Sequence, residues 1–228
     1  MKILKSVAVI GFIFGMSHLG LAQKIELGVK AGANFNGLNL SSGGKLVTTR
    51  YNTRVGFHLG GYMSIRIKSL ALQPELIFSQ QGQNFTTPYW SNLSTTLNYI
   101  NLPVIFKYHP TNWLNLQVGP QLGYLISSKG DVLSTVGNPP TLGLAASGKN
   151  LKDYTNPLDF SIAFGMGIDL PLGLSLTARY NMGVTNVNKY WGSTNLPPGN
   201  ITPSFSTANT QNQVFQLSLG YKLRSFGK

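Results

Sequence analysis

Past the first 22 residues the chain holds two histidines, six carboxylates and no cysteine, and these bound the chemistry open to it. His58 stands among Gly56, Gly60 and Tyr62, and His109 precedes Pro110. A hydrolytic site would need one of them beside a serine and an orienting acid, and neither lies in a local motif of that kind. Glu26, Glu75, Asp159 and Asp169 could do acid–base work, or hold a metal if two approached closely. No His or Cys joins them at ligand spacing, so ion pairing with cations is the expected role. The run Gly165-Met-Gly167 does not lead into a helix and is not a phosphate loop. Without cysteine there are no disulfides, thiolate metal sites or lipid-modified cysteine. These residues predict no enzyme, no catalytic or metal site and no cofactor.

The elements that position them follow from a period of two. In Lys24–Asn36, Ile25, Leu27, Val29, Ala31, Ala33 and Phe35 share one parity, with Glu26 and Lys30 on the other. Strict alternation is the mark of a strand. The same test places strands at about 24–36, 53–67, 70–81, 98–108, 113–126, 158–170, 173–185 and 213–224. Each charge within them falls on the polar parity: Glu26, Lys30, Arg54, Arg66, Glu75, Lys107, Asp159, Asp169, Arg179 and Lys222. Pro74, Pro103 and Pro120 each lack a ladder donor and are expected at bulges or strand ends.

Connections alternate in length. Residues 37–52, 82–97, 127–157 and 186–212 are long, polar and expected to be irregular, whereas Lys68-Ser69, His109–Asn112 and Pro171–Gly173 are tight. All the long loops then lie at one end and both chain ends at the other, which is the layout of an outer-membrane barrel. Lys2 and Lys5 before the apolar run Val7–Met16, and Gly20-Leu21-Ala22 before Gln23, read as a cleaved signal peptide over 1–22, leaving a barrel domain over 23–228. No later segment is apolar for long enough to cross a bilayer as a helix, so membrane residence must come from strands.

Two barrels satisfy the alternation. A soluble ligand carrier would turn the apolar face inward, and a membrane barrel would turn it to lipid. Charged residues make up 11% of the chain, against roughly 25% in a soluble domain. Ten charges are thin cover for an aqueous exterior. Interleaved with Gly28, Gly32, Gly56, Gly60, Gly119, Gly123, Gly165, Gly167 and Gly220, they suit a narrow lumen in which Glu26, Asp169, Arg66, Lys107 and Lys222 lie toward the periplasmic end, and Glu75, Lys30 and Arg179 higher. The expectation is an all-β, eight-stranded, antiparallel up-and-down transmembrane barrel with long extracellular loops, short periplasmic turns and a plugged lumen too narrow for general diffusion.

Of the 18 basic residues, Lys2 and Lys5 fall in the signal, which leaves 16 against 6 acidic ones. The excess is scattered, with no basic helix or RNA-binding signature, so no nucleic-acid partner is expected. Lys45, Arg50, Lys129, Lys149, Lys152 and Lys189 suit outer-membrane lipid or lipopolysaccharide phosphates instead. Tyr89, Trp90, Tyr190 and Trp191 in the long loops are candidate recognition residues.

Gly28-Val-Lys-Ala-Gly-Ala-Asn34, Tyr99-Ile-Asn-Leu-Pro-Val-Ile-Phe-Lys-Tyr108, Val118-Gly-Pro-Gln-Leu-Gly-Tyr-Leu-Ile-Ser-Ser-Lys129, Asp159-Phe-Ser-Ile-Ala-Phe-Gly-Met-Gly-Ile-Asp169 and Ala178-Arg-Tyr-Asn-Met-Gly-Val-Thr-Asn-Val187 resemble, in order and spacing, the PorT-like outer-membrane β-barrel family of Bacteroidota. The resemblance implies a Gram-negative outer membrane, periplasmic chaperones and the barrel-assembly machinery as partners during biogenesis, and either a structural or surface-interaction role or an accessory role in protein secretion and maturation. One departure is the continuation past Leu223 through Arg224-Ser-Phe-Gly-Lys228, where such barrels usually finish on an aromatic strand residue. An outer-membrane lipid-modifying enzyme is the rival reading.

Overall fold

A computed structural model of the chain describes residues 24–42, 45–46, 51–52, 54–85, 93–136, 141–189, 201–203 and 209–227. The expected signal segment 1–22 lies outside the described residues, as do Tyr89, Trp90, Tyr190 and Trp191. Among the described residues eight long strands form the wall: β1 (Lys24–Ser42), β2 (Arg54–Ile67), β3 (Leu70–Phe85), β4 (Leu93–Tyr108), β5 (Leu114–Val136), β6 (Leu158–Asp169), β7 (Leu174–Gly183) and β8 (Asn209–Phe226). Each pairs antiparallel with its neighbour in sequence, and β8 pairs with β1 to close the sheet. Closure removes the edges on which backbone donors and acceptors would go unpaired in hydrocarbon. The shortest wall strand has 10 residues, and roughly 9–11 suffice to cross a bilayer when tilted.

Side-chain parity sorts the two faces. Along β4, Leu97, Tyr99, Asn101 and Ile105 are buried, while Leu102, Val104, Phe106 and Tyr108 are exposed. Around the wall the large exposed residues are Val55, Phe57, Leu59, Leu76, Val118, Leu122, Phe164, Met166, Leu217 and Leu219, whereas Lys30, His58, Glu75, Asp159 and Arg179 are buried. Ordinary globular burial is inverted, so the outer surface has lipid as its solvent. Tyr108, Tyr124 and Tyr221 are exposed on the outside toward the ends of the wall, where aromatic rings suit the interface, whereas Trp113 lines the lumenal mouth.

The tight connections hold the short-turn end. Lys68 takes a positive φ of 54° in the two-residue turn that joins Ile67 to Leu70. Leu172 (64°) and Gly173 (82°) do the same in the 3-10 turn Pro171–Gly173. At the other end the strands outrun the sequence reading. Residues 127–136 continue β5 and pair with Thr141–Asn150, so much of the expected irregular third loop is a β-ribbon. Ser127-Ser-Lys-Gly-Asp131 is polar on both parities, which erases the period-two signal.

The prolines correct the expectation placed on them. Pro74, Pro103 and Pro120 lie inside β3, β4 and β5, neither at strand ends nor at bulges. The ladder instead skips them. Pairing lapses between Tyr62↔Glu75 and Ile65↔Leu72, between Pro74↔Val104 and Ile77↔Asn101, and between Pro103↔Gln121 and Phe106↔Val118, each time resuming in the same register. Three prolines on adjacent strands thus share one seam of missing donors. The bulges lie at Leu27/Gly28 opposite β8 and at Asn98/Tyr99 opposite β5. The first of these carries β8 on to Phe226, which pairs with Ile25, so the closing strand does end on an aromatic.

Leu59 is exposed near the middle of the lipid face, opposite Ala31 and Phe78. Leu59→Arg is expected to destabilise the folded barrel by about 2–4 kcal/mol, read by equilibrium urea unfolding in phospholipid vesicles. An unchanged midpoint would mean that this face does not meet lipid.

Candidate functional site in the barrel lumen

Four alternate strands meet at one level of the lumen. Lys30 from β1, Glu75 from β3, Gln117 from β5 and Arg179 from β7 all point inward and are buried. Strands β3 and β7 are diametrically opposite, so their side chains can touch only across the axis. They do so as a fork. Arg179 Nη1 and Nη2 donate to Glu75 Oε2 and Oε1, each at 2.9 Å, while Lys30 Nζ lies 3.2 Å from Oε2 and Gln73 Nε2 donates to Oε1 at 2.8 Å. A bidentate guanidinium–carboxylate pair is the strongest ion pair available to side chains.

From the knot a directed chain of amides runs to the short-turn end. Arg179 Nη2 donates to Gln117 Oε1 (2.8 Å), Gln117 Nε2 to Asn115 Oδ1 (2.7 Å) and Asn115 Nδ2 to Asp169 Oδ2 (3.1 Å). His109 Nε2 lies 3.3 Å from the same carboxylate oxygen. At the mouth, Glu26 accepts from Lys24 (2.9 Å) and Lys222 (3.4 Å). Arg66 Nε donates to the Lys68 carbonyl at 3.0 Å. Lys107 lines the same space without a hydrogen bond or ion pair to any described residue.

Above the knot sits a neutral cluster. His58 Nδ1 lies 2.8 Å from Asn34 Oδ1, and Nε2 lies 2.8 Å from Ser218 Oγ. Asn34 Nδ2 donates to the Phe57 and Gln80 carbonyls and to Ser79 Oγ, which fixes Asn34 Oδ1 as an acceptor. His58 therefore carries its proton on Nδ1 and accepts from Ser218 through Nε2. Sequence reading found no serine or acid partner for either histidine; the structure supplies Ser218 and Asn34 for one and Asp169 for the other. Ser218 lies 160 residues from His58, beyond the reach of any local motif. The order Ser–His–Asn is that of a nucleophile and its base, but all three residues are buried in the lumen.

The outer end is closed differently. Leu97, Tyr99, Leu125 and Val187 form a buried apolar cluster inside the wall. Val187 comes from the segment after β7, which is tied to residues 151–157 by Asn156 N to Val187 O (2.8 Å), Asn156 Nδ2 to Asn186 O (2.6 Å) and the Thr155↔Asn188 bridge. Asp159 lies beside this cluster with no cation paired to it among the described residues: Thr185 Oγ1 donates to it at 2.8 Å and Asn212 Nδ2 at 3.1 Å. Arg54 Nη1 donates to the Thr95 carbonyl at 3.2 Å.

The ten lumenal charges thus fall into a central knot, a mouth group and two separate outer residues. Sequence reading missed the amides that serve these charges, Gln73 and Gln117 at the knot and Asn115 beside Asp169, and the bonds of Asn34 and Gln216 in the neutral cluster, although each lies on the inward parity. It also missed the apolar plug, since Leu97, Leu125 and Val187 carry no charge to mark them. Gly28 has its own reason: a Cβ there would overlap the Tyr62 ring. Among the described residues no three His, Asp or Glu side chains gather as metal ligands. Of the basic loop residues, Lys129, Lys152 and Lys189 are exposed at the outer end, while Arg50 lies outside the described residues.

The family model for the outer membrane protein beta-barrel domain matches residues 21–189. The chain belongs to that family. It is an outer-membrane barrel, and its short turns therefore face the periplasm. Among solved structures it is similar in shape to Neisserial surface protein A (13% identity, TM-score 0.47, covering 86% of this chain and 97% of that one). Ail, the attachment invasion locus protein of Yersinia pestis, is 11% identical with a TM-score of 0.42, covering 90% and 99%. The outer membrane protein OprG from Pseudomonas aeruginosa is 10% identical with a TM-score of 0.43, covering 91% and 97%. No curated protein matches the sequence.

Glu75 is the counter-ion for both Lys30 and Arg179. Glu75→Gln leaves two buried cations facing each other and is expected to cost about 3–5 kcal/mol in vesicle unfolding. Lys30→Met leaves the Arg179 fork intact and neutral and should cost less. The reverse order would show that Glu75 is not the centre of the knot.

Proposed function

We propose that the protein is a non-enzymatic structural or surface-interaction component of the outer membrane, and not a diffusion pore. The observation that carries this reading is the double closure of the lumen, by the Leu97–Tyr99–Leu125–Val187 cluster at the outer end and by Lys30–Glu75–Arg179 at mid-depth. Eight strands leave an interior just wide enough for side chains or one small ligand, and no aqueous channel. With transport closed off, interaction falls to the outer end, where Lys129, Lys152 and Lys189 are exposed. They would meet lipopolysaccharide or lipid phosphates, with Tyr89, Trp90, Tyr190 and Trp191 as further contacts. Planar-bilayer recording of the purified protein is expected to give no stepwise conductance; a stable unitary current would overturn the reading.

The resemblance to PorT-like barrels supports a narrower form, in which the protein follows a cleaved signal to the outer membrane of a member of the Bacteroidota and assists secretion of surface proteins. A deletion strain that loses surface proteins, rescued by the intact chain, is the expected result for that form; an unchanged surface proteome would count against it. The Ser218–His58–Asn34 contact favours the enzymatic rival, but its burial denies it a substrate. A fluorophosphonate probe should therefore leave Ser218 unmodified in the folded protein. Stoichiometric labelling at Ser218, lost in His58→Ala, would establish the rival.

A further inference from the structure

The periplasmic half of the lumen is an open chamber. A cavity of about 390 Å³ lies between the knot and the short turns, lined by four cations, Lys24, Arg66, Lys107 and Lys222, and two carboxylates, Glu26 and Asp169. Both carboxylates are already committed. Glu26 serves Lys24 and Lys222, and Asp169 accepts from Asn115 with His109 alongside. Arg66 spends one donor on the Lys68 carbonyl at the rim. Lys107 remains, at the deep end, lining both the chamber and the small void of about 10 Å³ that separates it from Lys30.

Lys107 makes no direct ion pair among the described residues. Glu75 is held by Arg179, Lys30 and Gln73, so its carboxylate is already engaged in the knot beyond Lys107. An ammonium drawn into a lumen without a direct partner is costly, and low-dielectric walls focus its field on the enclosed space. Tyr62 and Ser175 also line both cavities, and among the described residues neither hydroxyl has a hydrogen-bond partner. The site therefore offers a cation without a direct ion pair beside neutral O–H donors, in a pocket that opens to the periplasm and is shut behind.

We infer that this chamber is a binding site for a small polyvalent oxyanion, phosphate or carboxylate, taken from the periplasm with Lys107 as its principal counter-charge. The ligand accepts from the Lys107 ammonium and the neighbouring hydroxyls at the floor, while Lys222 and Arg66 shield it at the mouth. The inference does not depend on what the outer loops recognise.

The test is isothermal titration of the full chain, folded in an uncharged maltoside detergent at low ionic strength, with inorganic phosphate and citrate in separate arms. Saturable binding at one site per chain is expected in at least one arm, and the arm that binds assigns the chemistry. Lys107→Met should weaken it by roughly tenfold or more, and Lys107→Arg should keep it within about threefold. Arg224→Gln removes a cation at the same end but outside the cavity, where Arg224 stacks on Phe226 at 4.9 Å, and should leave affinity unchanged. Heat-dependent gel mobility verifies that each variant is folded. No saturable binding in either arm, wild-type affinity in Lys107→Met, or equal weakening by Arg224→Gln overturns the site.

Discussion

Hydrocarbon solvates neither a charge nor an unpaired peptide group, and that intolerance organises this chain. Closing β8 onto β1 satisfies the backbone, and period-two alternation then assigns each side chain to lipid or lumen. The two requirements are coupled. A slip of one residue would keep the ladder hydrogen bonds but send Lys30, Glu75 and Arg179 into lipid. The register is held less by the strands' own pairing than by the cost of the alternative.

Turning the charges inward creates a second problem, because the lumen is too narrow to hydrate them freely. The solution is to spend amides. Glu75 is enclosed by Arg179, Lys30 and Gln73, and the surplus donor of Arg179 is passed through Gln117 and Asn115 to Asp169. Each amide accepts on one side and donates on the other, so polarity is carried down the barrel without adding charge. Inward glycines are the steric counterpart. Tyr62 lies over the neighbouring strand because its cross-strand partner Gly28 has no side chain.

Parity makes the face of a residue legible in sequence, and that is why the strands and their lumen-facing charges follow from the alternation of, for instance, Leu102, Val104 and Phe106 against Lys107. Parity does not give position around the barrel. Glu75 and Arg179 are 104 residues apart, and their contact depends on the combined stagger of every strand between them. The same limit hid Ser218 from His58. Residues 127–150 escaped for a different reason, since a ribbon polar on both faces has no alternation to read. The prolines were misplaced because one missing donor can be skipped where two neighbouring strands skip theirs along the same seam.

The two closures differ in kind, and the difference gives the lumen a direction. Toward the outer end Leu97, Tyr99, Leu125 and Val187 pack as an apolar cluster. At mid-depth the knot joins β1, β3 and β7 and closes the chamber that opens to the periplasm. Glu26 and Asp169 are engaged at the mouth, and Lys107 faces open space without a direct ion pair among the described residues. Four cations and two carboxylates line that space, and stability alone does not call for the excess. The arrangement makes sense if the missing negative charge comes from solution.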